Sequence, residues 1–127
     1  MRDDESAQRA PSGFERVCAA RDVAPGSLRA ATLADGTRVC VGNRDGTYFA
    51  VSDRCPHQHF PLSDGALTPE GTIVCSWHGA TYDCATGRSV RGPLRGAAYE
   101  GPLGRVTVYD TRVDDADVLV RTPDSSF

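Results

Sequence analysis

The chain has 127 residues and a net charge of −3, and all 14 of its basic residues are arginine. This length fits one domain, and the mildly acidic balance argues against nucleic-acid binding, which normally requires a basic face. No apolar run approaches the roughly 20 residues needed to span a bilayer, and the polar N-terminus lacks the apolar stretch of a secretory signal, so we expect a cytoplasmic protein that does not enter membranes.

Short strands separated by turn signals are predicted along most of the chain. Residues 1–13 are predicted to be a disordered lead-in, residues 14–122 the folded domain and residues 123–127 a C-terminal tail. β-Branched and aromatic residues between turn residues predict strands at residues 14–19, 28–33, 37–41, 47–51, 72–74, 81–84, 105–109 and 118–121. Because no long segment has a helical period, the sequence predicts an all-β domain whose loops carry the function.

Two short motifs lie in predicted loops that directly follow strands. They are Cys55-Pro56-His57 and Cys75-Ser76-Trp77-His78, with seventeen residues between His57 and Cys75. This order is expected of a Rieske-type [2Fe–2S] centre, in which two thiolates hold one iron and two imidazoles hold the other. The sequence therefore predicts Cys55 and Cys75 on one iron, and His57 and His78 on the other, at the tips of two adjacent hairpins.

The charge of such a centre indicates its purpose. Two ferric ions, two sulfides, two thiolates and two neutral imidazoles sum to zero, so an added electron meets less repulsion than in an anionic four-cysteine cluster. Rieske centres accordingly have potentials of about −150 to +300 mV, against about −400 mV for plant-type clusters. A tetrahedral zinc site with the same four ligands is the alternative, but a Cys-x-His spacing is unusual for zinc.

The other histidine and cysteines receive simpler interpretations. His59 could replace His57 as a ligand, but the tight Cys-x-His spacing favours His57, and the role of His59 stays open. Five cysteines form an odd set, which argues against a disulfide framework. We expect Cys18, Cys40 and Cys84 to be small buried apolar residues.

Residues 55–65 and 75–83 resemble the Rieske ferredoxins of bacterial aromatic-ring dioxygenase systems. The resemblance implies three stacked antiparallel sheets, with one [2Fe–2S] cluster held by two loops at one tip. It also implies a monomeric one-electron carrier, not itself catalytic, that docks transiently with a flavin-dependent reductase and a terminal oxygenase. A Rieske subunit of an assimilatory nitrite-reductase-like enzyme and a zinc-stabilised interaction module are the alternatives.

Two further features bear on potential and docking. Ala80 stands where respiratory Rieske proteins keep a serine that donates to cluster sulfur, so the resemblance implies a potential in the lower part of the range. Four aspartates near the C-terminus could attract a basic partner, but a solvated turn between two strands is the favoured explanation. They are Asp110, Asp114, Asp115 and Asp117.

Overall fold

The computed structural model describes residues 13–54, 61–76, 79–91 and 105–121. In these ranges the chain consists of antiparallel strands, with short 3-10 turns at Ala20–Asp22 and Leu62–Asp64. The strands are β1 (Glu15–Ala19), β2 (Leu28–Thr32), β3 (Arg38–Arg44), β4 (Thr47–Ser52), β5 (Ala66–Leu67), β6 (Thr72–Val74), β7 (Thr81–Asp83), β8 (Ser89–Arg91), β9 (Val108–Asp114) and β10 (Asp117–Arg121). The predicted all-β class is confirmed. No helix in the described ranges is long and apolar enough to cross a membrane.

The larger sheet has six strands in the order β1-β10-β9-β4-β3-β2. Its two halves are joined where β4 pairs with β9, through Ala50 opposite Tyr109 and Val51 opposite Val108. This pairing gives two sheets among the described residues, where the resemblance implied three. The two edges of this sheet are linked by a hydrogen bond, since the Glu15 carboxylate of β1 accepts the backbone N–H of Ala34, just after β2, at 2.7 Å.

The smaller sheet has four short strands in the order β5-β6-β7-β8. Residues 75–80 join β6 to β7 within this sheet, as the predicted hairpin requires. The segment that carries Cys55 and His57, called the first ligand segment, was expected at a hairpin tip as well, and that expectation is wrong. It follows β4 of the larger sheet and leads to β5 of the smaller one, so it connects the two sheets.

Two apolar cores lie on opposite faces of the larger sheet. Side chains alternate between the faces of a strand, so β3 sends Val39 and Val41 into one core and Cys40 into the other. All three are fully buried, and each such valine contributes roughly 1.5–3 kcal/mol of transfer free energy. The core that contains Cys40 fills the space between the two sheets and includes Leu62, Ile73, Cys75 and Tyr82.

The last predicted strands differ from the structure at one boundary. Strand β9 begins at Val108 and runs to Asp114, whereas the alternation of valines predicted a strand at 105–109. The difference arises because Val106 is buried and its backbone N–H donates to the carbonyl of Gly87, in the turn between β7 and β8, at 2.8 Å. Residues 105–107 therefore connect the two sheets before β9 starts.

Candidate metal centre

Cys75 is the one predicted ligand within the described ranges. It follows β6 directly and is 1% exposed, in the core between the sheets. Its backbone N–H donates to the Ala80 carbonyl at 2.7 Å, which closes the loop 75–80 at its base. Thr81 adds a second constraint, because its hydroxyl donates to the Gly79 carbonyl at 2.8 Å. The hairpin thus fixes the backbone at both ends of the second ligand segment, residues 75–80.

The first ligand segment is fixed at its ends by Asp53 and Ser63. The Asp53 carboxylate accepts the backbone N–H of Ser63 at 2.7 Å and its hydroxyl at 2.8 Å. The Asp53 side chain is fully buried, and the exposed guanidinium of Arg38 stands 3.7 Å from it. Buried hydrogen bonds to a carboxylate are strong, so this clamp holds the segment's two ends together.

A close backbone contact brings the two ligand segments together. Gly65 packs against β6, and a β-carbon on it would stand 2.0 Å from the Val74 carbonyl oxygen. Val74 directly precedes Cys75, so glycine at this position lets the chain leaving the first segment approach the start of the second. Leu62, which is fully buried in the shared core, fixes the same stretch from the other side.

Of the four predicted ligands, only Cys75 can be compared with these surroundings. Cys55, His57 and His78 lie outside the described residues, as does His59, so the assignment of ligands stays a prediction. A buried thiol at the base of a closed hairpin, beside the clamped first segment, suits one thiolate corner of a [2Fe–2S] cluster. The described part of the chain contains no group of three or more His, Cys, Asp or Glu residues that could hold a metal ion.

The remaining described cysteines are buried, as predicted. Cys18, Cys40 and Cys84 are 6%, 0% and 4% exposed, and none of the three is in a disulfide. Burial raises the pKa of all three thiols, with a further increase at Cys84 from the charge of Asp83. Because a metal ligand must be a thiolate, these protonated thiols are poor candidates for a further ligand.

Three of the four aspartates near the C-terminus, Asp114, Asp115 and Asp117, surround the turn between β9 and β10, whereas Asp110 lies near the start of β9. Asp110 is paired with Arg121, and Asp117 is paired with Arg16 at 2.9 Å. Strand β9 starts beside Val51, near the first ligand segment, and its six steps to Asp114 span about 20 Å. The turn therefore lies about 20 Å from the start of β9, and its solvated, partly paired charges fit the interpretation of a solvated turn.

Sequence reasoning missed the clamp and the close contact. Asp53, Ser63 and Gly65 are polar or small residues in a segment predicted as a loop, where such residues are ordinary. Their one distinguishing signal is position, because they flank the first motif on both sides. Only the fold shows that they connect that segment to the second one.

The sequence and the fold define the family. Residues 13–110 match the Rieske [2Fe-2S] domain, so the chain belongs to this family and carries one Rieske-type cluster. The match favours the iron–sulfur cluster over the zinc alternative.

Among proteins of this family, the chain is similar to ferredoxin components of dioxygenases. The chain is 31% identical over 107 residues to the biphenyl dioxygenase ferredoxin subunit of Pseudomonas sp. (strain KKS102), covering 84% of this chain and 90% of that protein. The solved ferredoxin of carbazole 1,9a-dioxygenase from Nocardioides aromaticivorans IC177 superposes with a TM-score of 0.73 at 28% identity, covering 87% of this chain and 99% of that one.

A second solved ferredoxin was determined together with its oxygenase, in the complex of reduced oxygenase and oxidized ferredoxin in carbazole 1,9a-dioxygenase. It matches with a TM-score of 0.69 at 25% identity, over 85% of this chain and 92% of that one. These relatives are ferredoxin components, distinct from the catalytic oxygenase. They confirm the predicted resemblance and the prediction of a component that is not itself catalytic.

Proposed function

We propose that this protein is a monomeric cytoplasmic ferredoxin that takes single electrons from a flavin-dependent reductase and passes them to a terminal oxygenase. The observation that carries the proposal is its likeness to the biphenyl dioxygenase ferredoxin subunit over 84% of the chain. The fold supports it, since a related ferredoxin was solved in a complex with an oxygenase.

We assign Cys55 and Cys75 to one iron, and His57 and His78 to the other. When bound, a Rieske cluster supplies a one-electron couple between about −150 and +300 mV. The protein's own residues hold the two ligand segments in fixed relation, through the Asp53–Ser63 clamp and the approach of Gly65 to Val74. A rigid frame of this kind suits electron transfer, because little of the protein has to rearrange when the charge changes.

The residues around Cys75 support a proposal that the thiolate side of the cluster is shielded from water. Leu62, Tyr82 and Cys75 are buried in one core, which excludes water from that side. We place the imidazoles of His57 and His78 on the opposite, solvent-facing side, where a partner can approach. Docking would then be transient, with an interface in the small range typical of redox encounters.

The first experiment measures the cofactor. Protein purified anaerobically is expected to contain about two irons and two acid-labile sulfides per chain, to be red-brown, and to show a rhombic electron-spin resonance signal after reduction. A colourless protein that contains zinc and no acid-labile sulfide, even after anaerobic reconstitution, would contradict the proposal.

The second experiment measures the electron path. The purified protein is mixed with NADH, a flavin reductase and a terminal oxygenase of an aromatic-ring dioxygenase system, and oxygenated product is measured with and without the ferredoxin. We expect product formation to require it. Gel filtration separates the nitrite-reductase alternative, because a free ferredoxin elutes alone whereas a subunit elutes with its sirohaem enzyme.

A further inference from the structure

A basic cleft borders the first ligand segment. Its volume is about 520 Å³, and it is lined by Gly36, Thr37, Arg38, Ser52, Asp53, Arg54, Pro61 and Tyr109. Arg54 directly precedes the segment that carries Cys55, and Pro61 directly follows it. The cleft therefore opens beside the predicted cluster.

The charges of the cleft are unbalanced. Arg38 and Arg54 are both exposed, so their guanidinium groups face solvent. The single carboxylate of the cleft, Asp53, is fully buried and already accepts two hydrogen bonds from Ser63. The two exposed arginines thus stand against the buried carboxylate of Asp53, which is committed to the clamp, and the exposed carboxylate of Asp35 at the rim, which accepts the backbone N–H of Thr37.

The net acidity of the chain does not cancel this local charge. Asp114, Asp115 and Asp117 lie about 20 Å from the start of β9, which is more than two Debye lengths at physiological ionic strength, where that length is about 8 Å. Asp110 lies closer, two residues from the start of β9, but its carboxylate is paired with Arg121. Beside the first ligand segment, Arg38 and Arg54 therefore supply the exposed positive charge that an approaching partner meets.

We propose that the Arg38–Arg54 cleft is a docking surface for carboxylates on an acidic redox partner. This inference rests on the proposed function and adds a requirement for the partner: its electron-accepting face carries exposed Asp or Glu side chains. Guanidinium groups bind carboxylates in a planar two-point geometry, so the cleft would orient the partner as well as attract it. The pairing also places the partner beside the predicted cluster.

Electron transfer to partners of opposite charge tests the surface. The reduced holoprotein is mixed in a stopped-flow instrument with plastocyanin, an acidic copper protein, or with cytochrome c, a basic haem protein. We expect the rate constant with plastocyanin to fall as salt rises, although both proteins have net negative charge, because the local arginines attract it. A plastocyanin rate that rises with salt, and a cytochrome c rate that falls, would overturn the proposal.

Matched variants locate the effect. At low salt, Arg38→Gln and Arg54→Gln are each expected to slow transfer to plastocyanin by about two- to five-fold, the size of one exposed ion pair. Arg21→Gln changes net charge equally but lies beside Ala20, which is bonded to Ala116 at the acidic turn, so it should leave the rate unchanged. An equal effect of all three variants would show a net-charge effect and contradict the proposal.

A binding measurement that involves no electron transfer tests this inference independently of the proposed function. Hexacyanochromate(III), a redox-inert paramagnetic trianion, is titrated into the isotope-labelled protein as purified. Backbone resonances of Thr37 and Ser52 are expected to broaden before that of Arg21. Broadening that is uniform, or that begins at Arg21, would overturn the docking surface whatever the cofactor analysis finds. If broadening is as expected but the iron analysis fails, the proposed function alone is lost.

Discussion

The buried carboxylate of Asp53 accepts both the backbone N–H and the hydroxyl of Ser63, ten residues further along the chain. Between these two residues lies the segment that carries Cys55 and His57. The pair therefore closes that segment at its base, as the hydrogen bond from Cys75 to Ala80 closes the other.

The clamp is expected to stabilise both the fold and the cluster. Asp53→Asn replaces one acceptor oxygen by a donor, so one of the two Ser63 donors loses its partner, at a cost of about 1–3 kcal/mol in the free energy of unfolding. Ser63→Ala keeps the backbone bond and should cost less, about 0.5–1.5 kcal/mol. Urea unfolding and the rate at which the visible spectrum bleaches in air measure the two effects.

A surface aspartate serves as the control for the clamp. Asp114→Asn, at the exposed turn between β9 and β10, should change unfolding free energy by no more than about 0.5 kcal/mol. If Asp53→Asn proved as mild as Asp114→Asn, the clamp would have no part in stability.

Replacing Gly65 by alanine is expected to separate the two ligand segments. The new β-carbon would stand 2.0 Å from the Val74 carbonyl oxygen, and a backbone atom cannot move aside as a side chain can. We expect a loss of about 3 kcal/mol or more, in the range of severe core disruption, together with incomplete cluster incorporation. Iron content per chain and thermal unfolding measure the result.

Gly26→Ala is the matched comparison for Gly65. Gly26 has a φ of +85° but nothing within 4 Å of an added β-carbon, so it tests backbone strain without a collision. It should cost about 1–2 kcal/mol and leave iron content unchanged. Equal iron loss in both variants would mean that the Gly65–Val74 contact does not position the ligands.

The choice between His57 and His59 as a ligand can be tested directly. His57→Gln should abolish the rhombic spin-resonance signal, because one imidazole is lost from the iron that two histidines hold. His59→Gln should keep both the signal and the iron content. The reverse pattern would transfer the ligand role to His59.

Restoring a hydroxyl at position 80 is expected to raise the reduction potential. Ala80 is fully buried beside Cys75, and its carbonyl accepts the Cys75 N–H. A serine there that donates to cluster sulfur favours the reduced state, and a hydrogen bond to a charged acceptor corresponds to a shift of about 60–130 mV. Protein-film voltammetry measures it. Ala66→Ser, on an exposed position of β5, should leave the potential unchanged, and an unmoved potential in Ala80→Ser would disprove the hydrogen bond.

Alkaline pH is expected to destabilise the fold through its buried thiols. Burial and the charge of Asp53 raise the pKa of Cys40 in the folded protein, whereas an unfolded cysteine titrates near about 8.5. Above that pH the unfolded chain releases a proton that the folded protein keeps, so stability falls as pH rises, by about 1.4 kcal/mol per pH unit for this thiol. Below about pH 8 both states are protonated and the contribution is fully present.

Urea unfolding between pH 8 and pH 10 measures this slope. Cys40→Ala should show a shallower decline than the unsubstituted protein, because one titrating thiol is absent. Cys18, whose pKa burial also raises, would still contribute in both proteins. Identical slopes would show that Cys40 ionises equally in the folded and unfolded states.

Most strands could be predicted because local sequence specifies them. The Asp35-Gly36 turn and the β-branched and aromatic runs beside it are sufficient to predict β2, β3 and β4. Strands β5 and β8 were missed because they have two and three residues, and they exist only through pairing with β6 and β7. The boundary at β9 was wrong for a related reason, since Val106 packs between the sheets rather than along a strand.

The ligand motifs could be predicted because they are local in sequence, whereas the contacts that hold the two ligand segments could not. Cys-x-His and Cys-x-x-His are local spacings, and their chemistry is visible without a fold. The contacts from Asp53 to Ser63 and from Gly65 to Val74 join loop residues whose types are common in any turn. Their importance comes from which strands lie next to each other, and that is decided by the packing of the two sheets.

The different settings of the two ligand segments imply an order of events during biogenesis. The loop 75–80 lies within a local hairpin, a unit that forms in about 1–10 μs in isolated peptides. The segment between β4 and β5 acquires its position only when the two sheets dock, which requires contacts distant in sequence and is slower. We therefore expect the hairpin that carries the predicted ligands Cys75 and His78 to form first, and the predicted ligands Cys55 and His57 to join them when the two sheets dock.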